Sequence, residues 1–177
     1  AWVAYCNDQD NRDRKSHGHS APLNVRHWQI GNETSYDENG FDIETAARKT
    51  VAFAKEMRTA DPDIQLIAWG DDGWAPRMAE VAGEHVQYLA FHHMFDPDSP
   101  RQPVLRGEAY RRDPDATWAQ LMTAWELADA KIRSIRDTLG SAKIPLALTE
   151  SHFAIPGRDR GDVLASWAAG VSYARIL

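Results

Sequence analysis

Apolar residues follow two rhythms along this chain, and the alternation between them predicts the fold class. Short apolar-rich runs at Val25–Ile30, Ile64–Trp69, Val86–Phe91 and Ile144–Leu148 have the length of buried strands. Between them, apolar positions recur every three or four residues. Ile43, Ala47, Val51, Ala54 and Met57 form one helical stripe, behind Asp42 as N-cap and ahead of Asp61-Pro62 as stop. Ala75–Ala82 predicts a short helix. Trp118, Leu121, Met122, Trp125, Ala128, Ile132, Ile135 and Leu139 predict one long helix that starts at Asp113-Pro114 and stops at Gly140. Val163, Leu164, Trp167, Ala168 and Val171 mark a last helix. Pro145 cannot donate to a ladder and belongs near the start of its strand. Residues 8–22 keep no apolar period and are expected to be a loop.

Strands and helices in strict alternation, after a helix end at the start, imply parallel strands joined by helical crossovers. A closed eight-stranded barrel takes roughly 250 residues. Four strand-helix units in 177 residues therefore predict an α/β fragment, the middle and later part of a (β/α)8 barrel, with a smaller open α/β sheet as the competing architecture. No second domain, repeat or low-complexity linker is visible, so residues 1–177 read as part of one barrel domain. The chain opens on Ala1-Trp2-Val3 without Met and closes on the apolar Tyr173–Leu177, so both ends are expected to be cuts through ordered structure.

Composition narrows the partners. The net charge is −6 with both signs scattered, which argues against nucleic acid, because phosphate binding wants clustered Lys and Arg. A neutral ligand fits better. The single cysteine, Cys6, excludes an internal disulfide framework and leaves the compartment open between cytoplasm and exterior. No apolar run approaches the roughly 20 residues needed to span a bilayer, so no membrane partner is expected.

The candidate chemistry lies where the strands end. In a barrel of this kind catalytic groups gather at the carboxyl ends of the strands. Those ends carry Asn32-Glu33, Trp69-Gly70-Asp71-Asp72, His92-His93 and Glu150-Ser151-His152. An isolated Glu after a strand is ordinarily a cap or a solvated loop residue. Two glutamates in matching positions, Glu33 after Ile30-Gly31-Asn32 and Glu150 after Ala147-Leu148-Thr149, instead suggest a working pair. Retaining glycoside cleavage needs such a pair, one carboxyl group protonating the leaving oxygen while the other attacks the sugar carbon, about 5 Å apart.

Three segments, Trp2-Val3-Ala4-Tyr5-Cys6-Asn7, then Gly18-His19 with Pro22-Leu23-Asn24-Val25, then Trp28-Gln29-Ile30-Gly31-Asn32-Glu33, resemble in order and spacing the α-L-arabinofuranosidases of glycoside hydrolase family 51. Leu89-Ala90-Phe91-His92-His93 looks like that family's sixth barrel strand, and Leu146-Ala147-Leu148-Thr149-Glu150 like its seventh. The resemblance implies a fragment covering about strands 4 to 7, with Glu33 as general acid/base, Glu150 as nucleophile and Asn32 binding the sugar 2-hydroxyl. It implies no cofactor and no metal, a plant cell-wall polysaccharide or oligosaccharide as substrate, and leaves homo-oligomerisation of the full-length form open. His92 matches a histidine in the family's active-site floor, which donates to Glu150 or to the sugar or is simply a satisfied core residue; His152 faces the cleft or does not. His93 reads as structural or solvated. Trp69, Trp74 and Phe153 offer sugar-stacking faces, although in a chain with seven Trp such rings are more often core. Two positions depart from the family pattern. Met94 stands where members usually carry Tyr, and Thr149-Glu150-Ser151 replaces the usual Asp-Glu-Trp, which bears on sugar specificity.

Other readings compete. Endoglucanase or xylosidase specificity would use the same two carboxylates, and a non-catalytic carbohydrate-binding barrel would keep the fold without turnover. His17-Gly18-His19 resembles the His-x-His of metal-dependent barrel hydrolases, yet it follows a polar run rather than an apolar strand.

Overall fold

The computed structural model describes residues 1–36, 40–95, 111–153, 170–171 and 174–175; of these, the side chains of Met94, Phe95, His152 and Phe153 lie outside the description. Among the described residues ten elements follow one another: α1 (Trp2–Asn7), α2 (Arg12–Ser16), β1 (His27–Ile30), α3 (Ile43–Ala60), β2 (Gln65–Trp69), α4 (Ala75–Ala82), β3 (Tyr88–Phe95), α5 (Pro114–Thr123), α6 (Trp125–Leu139) and β4 (Leu146–Phe153). The strands form one four-stranded sheet in the order β1-β2-β3-β4, with β1–β2 and β2–β3 parallel. This is the α/β arrangement that the alternating pattern predicts. The last helix expected from Val163 onward lies almost wholly outside the described residues.

The chain divides into two compact units, Ala1–Phe91 with Thr138–Ala147, and His92–Asp137 with Leu148–Leu177. In the first, the core is the sheet and the helices that cover it. Leu66, Ala68 and Trp69 of β2 and Leu89, Ala90 and Phe91 of β3 are buried, as expected of central strands in a parallel sheet. α3 is capped as its sequence predicts, Asp42 Oδ1 accepting from the Thr45 amide at 2.8 Å. It buries Ala46, Ala47, Thr50 and Ala54, small residues that let it approach closely. α3 and α4 are fastened together by Arg77, whose guanidinium donates to both oxygens of Glu44 at 2.5 and 2.9 Å and pairs with Glu80 at 2.7 Å. That bidentate bond holds Glu44 below the usual carboxylate range and raises Arg77.

Three local outcomes differ from the periodicity. The polar stretch 8–22 contains α2, capped by Asn11, whose Oδ1 accepts from the Arg14 amide. Arg14 is fully buried, and its guanidinium donates to the carbonyls of Tyr5, Asp8, Gln9 and His19. This segment is organised around a cation, so it has no hydrophobic period to read. The long helix of 114–139 is two helices that meet at Ala124. The Thr123 hydroxyl donates back to the carbonyls of Ala119 and Gln120, and the Ala124 and Leu127 amides reach three residues back, to Leu121 and Ala124, which tightens the turn. β4 begins after Pro145 and runs on to Phe153, so Glu150 lies within the strand rather than just past its end. Pro145 still contributes, its carbonyl accepting from the Leu89 amide at 2.9 Å.

Candidate active site

In the first unit, the residues that follow β1 turn sharply. Gly31 has φ +77°, and Glu33 itself has φ +51°, the left-handed region that an L side chain enters at a cost. The turn closes with the Tyr36 amide donating to the Glu33 carbonyl at 3.1 Å. A Cβ on Gly31 would come within 3.3 Å of Thr34 Cγ2, so both its conformation and its surroundings favour glycine there. Gln29 steadies the near side, its Nε2 donating to the Gly31 carbonyl at 2.9 Å and to Asn32 Oδ1 at 3.2 Å. Asn32 is exposed and Glu33 half-buried.

Trp69, the last residue of β2, is the wall behind this turn. Its ring is 1% exposed, its Nε1 donates to Ser35 Oγ at 2.8 Å, and Tyr36 meets it edge-on with ring centroids 5.9 Å apart. A Trp so enclosed supports the loop and offers no face for a sugar to stack on. Just beyond it, Gly70 gives passage, since a Cβ there would lie 3.1 Å from Leu89 Cβ. Asp71 is buried and Asp72 has φ +56°, a second left-handed residue in a loop that follows a strand. Trp74 occupies the N-cap position of α4 and is half-buried, with no side-chain capping bond. Non-glycine residues held in this region are uncommon and gather at functional loops.

In the second unit, Glu150 and His92 come together. His92 is 2% exposed and its Nε2 lies 3.5 Å from Glu150 Oε1, while the Glu150 side chain is 48% exposed. That spacing is longer than a good hydrogen bond and short enough for an imidazolium and a carboxylate to attract. His93 is buried rather than solvated. The His93 carbonyl accepts from Ser151 Oγ at 2.8 Å, and the His92 carbonyl from Lys131 Nζ at 2.7 Å. Ser151 enters the sequence pattern only as part of the Glu150-Ser151-His152 strand end, with no role of its own, and Lys131 enters no motif. The signal for Lys131 is its place on the inward stripe of α6, between Ala128 and Ile132. The side chains of His152, Phe153 and Met94 lie outside the described residues.

His17 and His19 are exposed; His17 Nδ1 is 3.0 Å from the Tyr5 hydroxyl, and the His19 carbonyl serves Arg14. Neither belongs to a cluster of three or more metal-ligating side chains among the described residues.

Comparison with known proteins adds the family. Residues 1–112 match the model of the alpha-L-arabinofuranosidase 1 domain. A probable alpha-L-arabinofuranosidase C of Aspergillus flavus is 36% identical over 81 residues, covering 42% of this chain and 16% of that protein. The intracellular exo-alpha-(1->5)-L-arabinofuranosidase 1 of Bacillus subtilis is 29% identical over 104 residues, covering 51% and 21%. The crystal structure of the alpha-L-arabinofuranosidase of Thermotoga maritima in its arabinose complex superposes with a TM-score of 0.57 at 26% identity, covering 86% of this chain and 31% of that one. The chain thus spans about a fifth or less of these two curated relatives. With the matched segment running through α1 to β3 and including the Gly31-Asn32-Glu33 turn, the chain belongs to the alpha-L-arabinofuranosidase domain family.

Proposed function

We propose that this chain is the segment, about strands 4 to 7, of a single (β/α)8 barrel domain of a retaining exo-acting glycoside hydrolase that releases terminal α-L-arabinofuranosyl groups from plant cell-wall polysaccharides or oligosaccharides. The observation that carries the reading is the backbone at Glu33, a left-handed glutamate in a turn that directly follows a parallel strand, inside the segment that matches the family. Glu150 lies outside that segment and is supported by its approach to buried His92.

In the first step Glu150 attacks the anomeric carbon as its bond to the leaving oxygen breaks, and Glu33 gives its proton to that oxygen. In the second, Glu33 takes a proton from water, the hydroxyl oxygen bonds to the anomeric carbon, and the glycosyl ester breaks to return Glu150 as carboxylate. Asn32 binds the sugar 2-hydroxyl, a contact that strengthens as positive charge develops at the ring. A neutral amide suits that place because it can donate and accept without adding charge between two carboxyl groups. The sugar and the exo action follow the relatives: the Thermotoga maritima structure holds arabinose and the Bacillus subtilis protein is named for exo cleavage.

The test is turnover of a panel of aryl glycosides by the full-length gene product beside its Glu33→Ala and Glu150→Gly variants, with azide added. Azide rescue giving opposite anomers in the two variants assigns the roles. Wild-type turnover by either variant refutes them, and a measured carboxylate separation of about 6.5 Å or more, the inverting geometry, refutes the double displacement.

A further inference from the structure

Two side chains that take no part in the double displacement both grip the strand that carries His92. Lys131 of α6 donates to the carbonyl of His92 at 2.7 Å, and Ser151 of β4 donates to the carbonyl of His93 at 2.8 Å. These are consecutive carbonyls of β3, and they point to opposite sides because strand residues alternate. The Lys131 bond fixes the peptide plane between His92 and His93, and with it the direction in which the His92 side chain leaves the backbone, while the Ser151 bond holds the next peptide of the strand, the one that follows His93. Ser151 directly follows Glu150, so its hydroxyl also ties β4 to β3 one residue beyond the carboxylate. The Lys131 bond is charge-assisted and therefore among the stronger of its kind. What the two grips hold in common is the 3.5 Å spacing between His92 Nε2 and Glu150 Oε1.

We propose that Lys131 and Ser151 are positioning residues for the nucleophile: by clasping consecutive carbonyls of β3 they hold the His92 imidazole and the Glu150 carboxylate in the relation from which Glu150 attacks. This rests on the reading of Glu150 as nucleophile. Both side chains are engaged with backbone carbonyls of β3, so they are expected to act on the chemical step and to leave sugar binding alone. Displacing a reacting group by about 1 Å can cost on the order of 100-fold in rate, which sets the scale.

The experiment compares Ser151→Ala, Ser151→Thr, Lys131→Met and the Ser151→Ala/Lys131→Met double variant of the full-length gene product. The readouts are kcat on an aryl α-L-arabinofuranoside, Kd for arabinose by calorimetry, and thermal unfolding. The expected result is a kcat lowered about tenfold by either single variant and about 100-fold by the double, with arabinose Kd unchanged and with Ser151→Thr restoring kcat because it returns the hydroxyl. Wild-type kcat in Ser151→Ala, failure of Ser151→Thr to restore it, or a matching loss of arabinose affinity overturns the proposal. If Lys131→Met does not fold, the Ser151 pair decides alone. Glu150→Gly with azide separates the two levels: azide-rescued turnover there beside an unaffected Ser151→Ala ends the positioning role only, whereas wild-type turnover by Glu150→Gly ends both.

Discussion

Glu33 and Glu150 share a sequence signature, an apolar run that closes on a carboxylate, but their backbones are in different situations. Glu33 sits three residues past the end of β1, in a turn that puts a non-glycine residue at φ +51°. Glu150 sits inside β4, in extended backbone, with Ser151 tied to the neighbouring strand. One carboxylate is delivered by a strained turn braced against Trp69, Ser35 and Tyr36, the other by a regular strand next to a buried histidine. The contrast teaches that a carboxylate closing an apolar run can be set by stored backbone strain or by regular pairing, and that the two should respond to substitution in opposite ways.

The strongest way to break the comparison is through activity. Glu33→Gly is expected to lower turnover of an aryl α-L-arabinofuranoside by about 10²- to 10⁴-fold, the usual contribution of a general acid, and a loss of less than about tenfold would remove Glu33 from the mechanism. Next is the wall behind the turn. Trp69→Ala should cost about 3–5 kcal/mol in urea unfolding of the chain, because a fully buried ring is lost and Ser35 loses its donor. A loss below 1 kcal/mol would mean that the ring does not brace the turn. Gly31→Ala should cost about 1–2 kcal/mol, since alanine at φ +77° is strained and its methyl meets Thr34.

Smaller, but sharper for the comparison, is the sign of the glycine substitutions. Glu33→Gly relieves the left-handed strain, and after the added freedom of the unfolded chain it should stabilise by about 0.5 kcal/mol. Glu150→Gly weakens a strand and should destabilise by about 1 kcal/mol. Equal signs in the two unfolding curves would show that the backbones do not differ in strain. The smallest effect is a pH dependence that arises at the start of α3. Hydrogen bonds from Thr45 lower Asp42 and the Arg77 guanidinium lowers Glu44, both below their unfolded values near 3.8 and 4.5. Groups depressed in the folded state lend stability that is present above the unfolded values and is lost as pH falls through the folded ones. Acidification below about pH 4 should therefore destabilise the chain, and Asp42→Asn with Glu44→Gln should flatten that limb of the stability profile.

Most of the regular architecture was legible in the sequence because it is written in apolar spacing. α3 begins and ends where its cap and stop predict, α4 spans the expected Ala75–Ala82, and the four apolar runs are the four strands, with limits shifted by a few residues. The candidate site was partly legible. Gly31-Asn32-Glu33 and Glu150 were identifiable as carboxylates closing apolar runs, and His92 as a strand residue near one of them. Trp69 was open to two readings, and only its burial and its bond to Ser35 made it a supporting wall.

The sequence by itself determined the alternation of strand and helix, the parallel sheet that follows from it, and the two glutamates that close apolar runs. Each of these depends on near-neighbour chemistry: periodicity, capping and turn propensity act over a handful of residues. Only the tertiary structure decided that Arg14 organises residues 5–19 through backbone carbonyls, that Thr123 breaks a continuous apolar stripe into two helices, that Glu33 is left-handed, and that Lys131 and Ser151 hold β3. These depend on hydrogen bonds from side chains to backbone groups, which leave no period in the sequence because a carbonyl is the same acceptor whatever residue carries it.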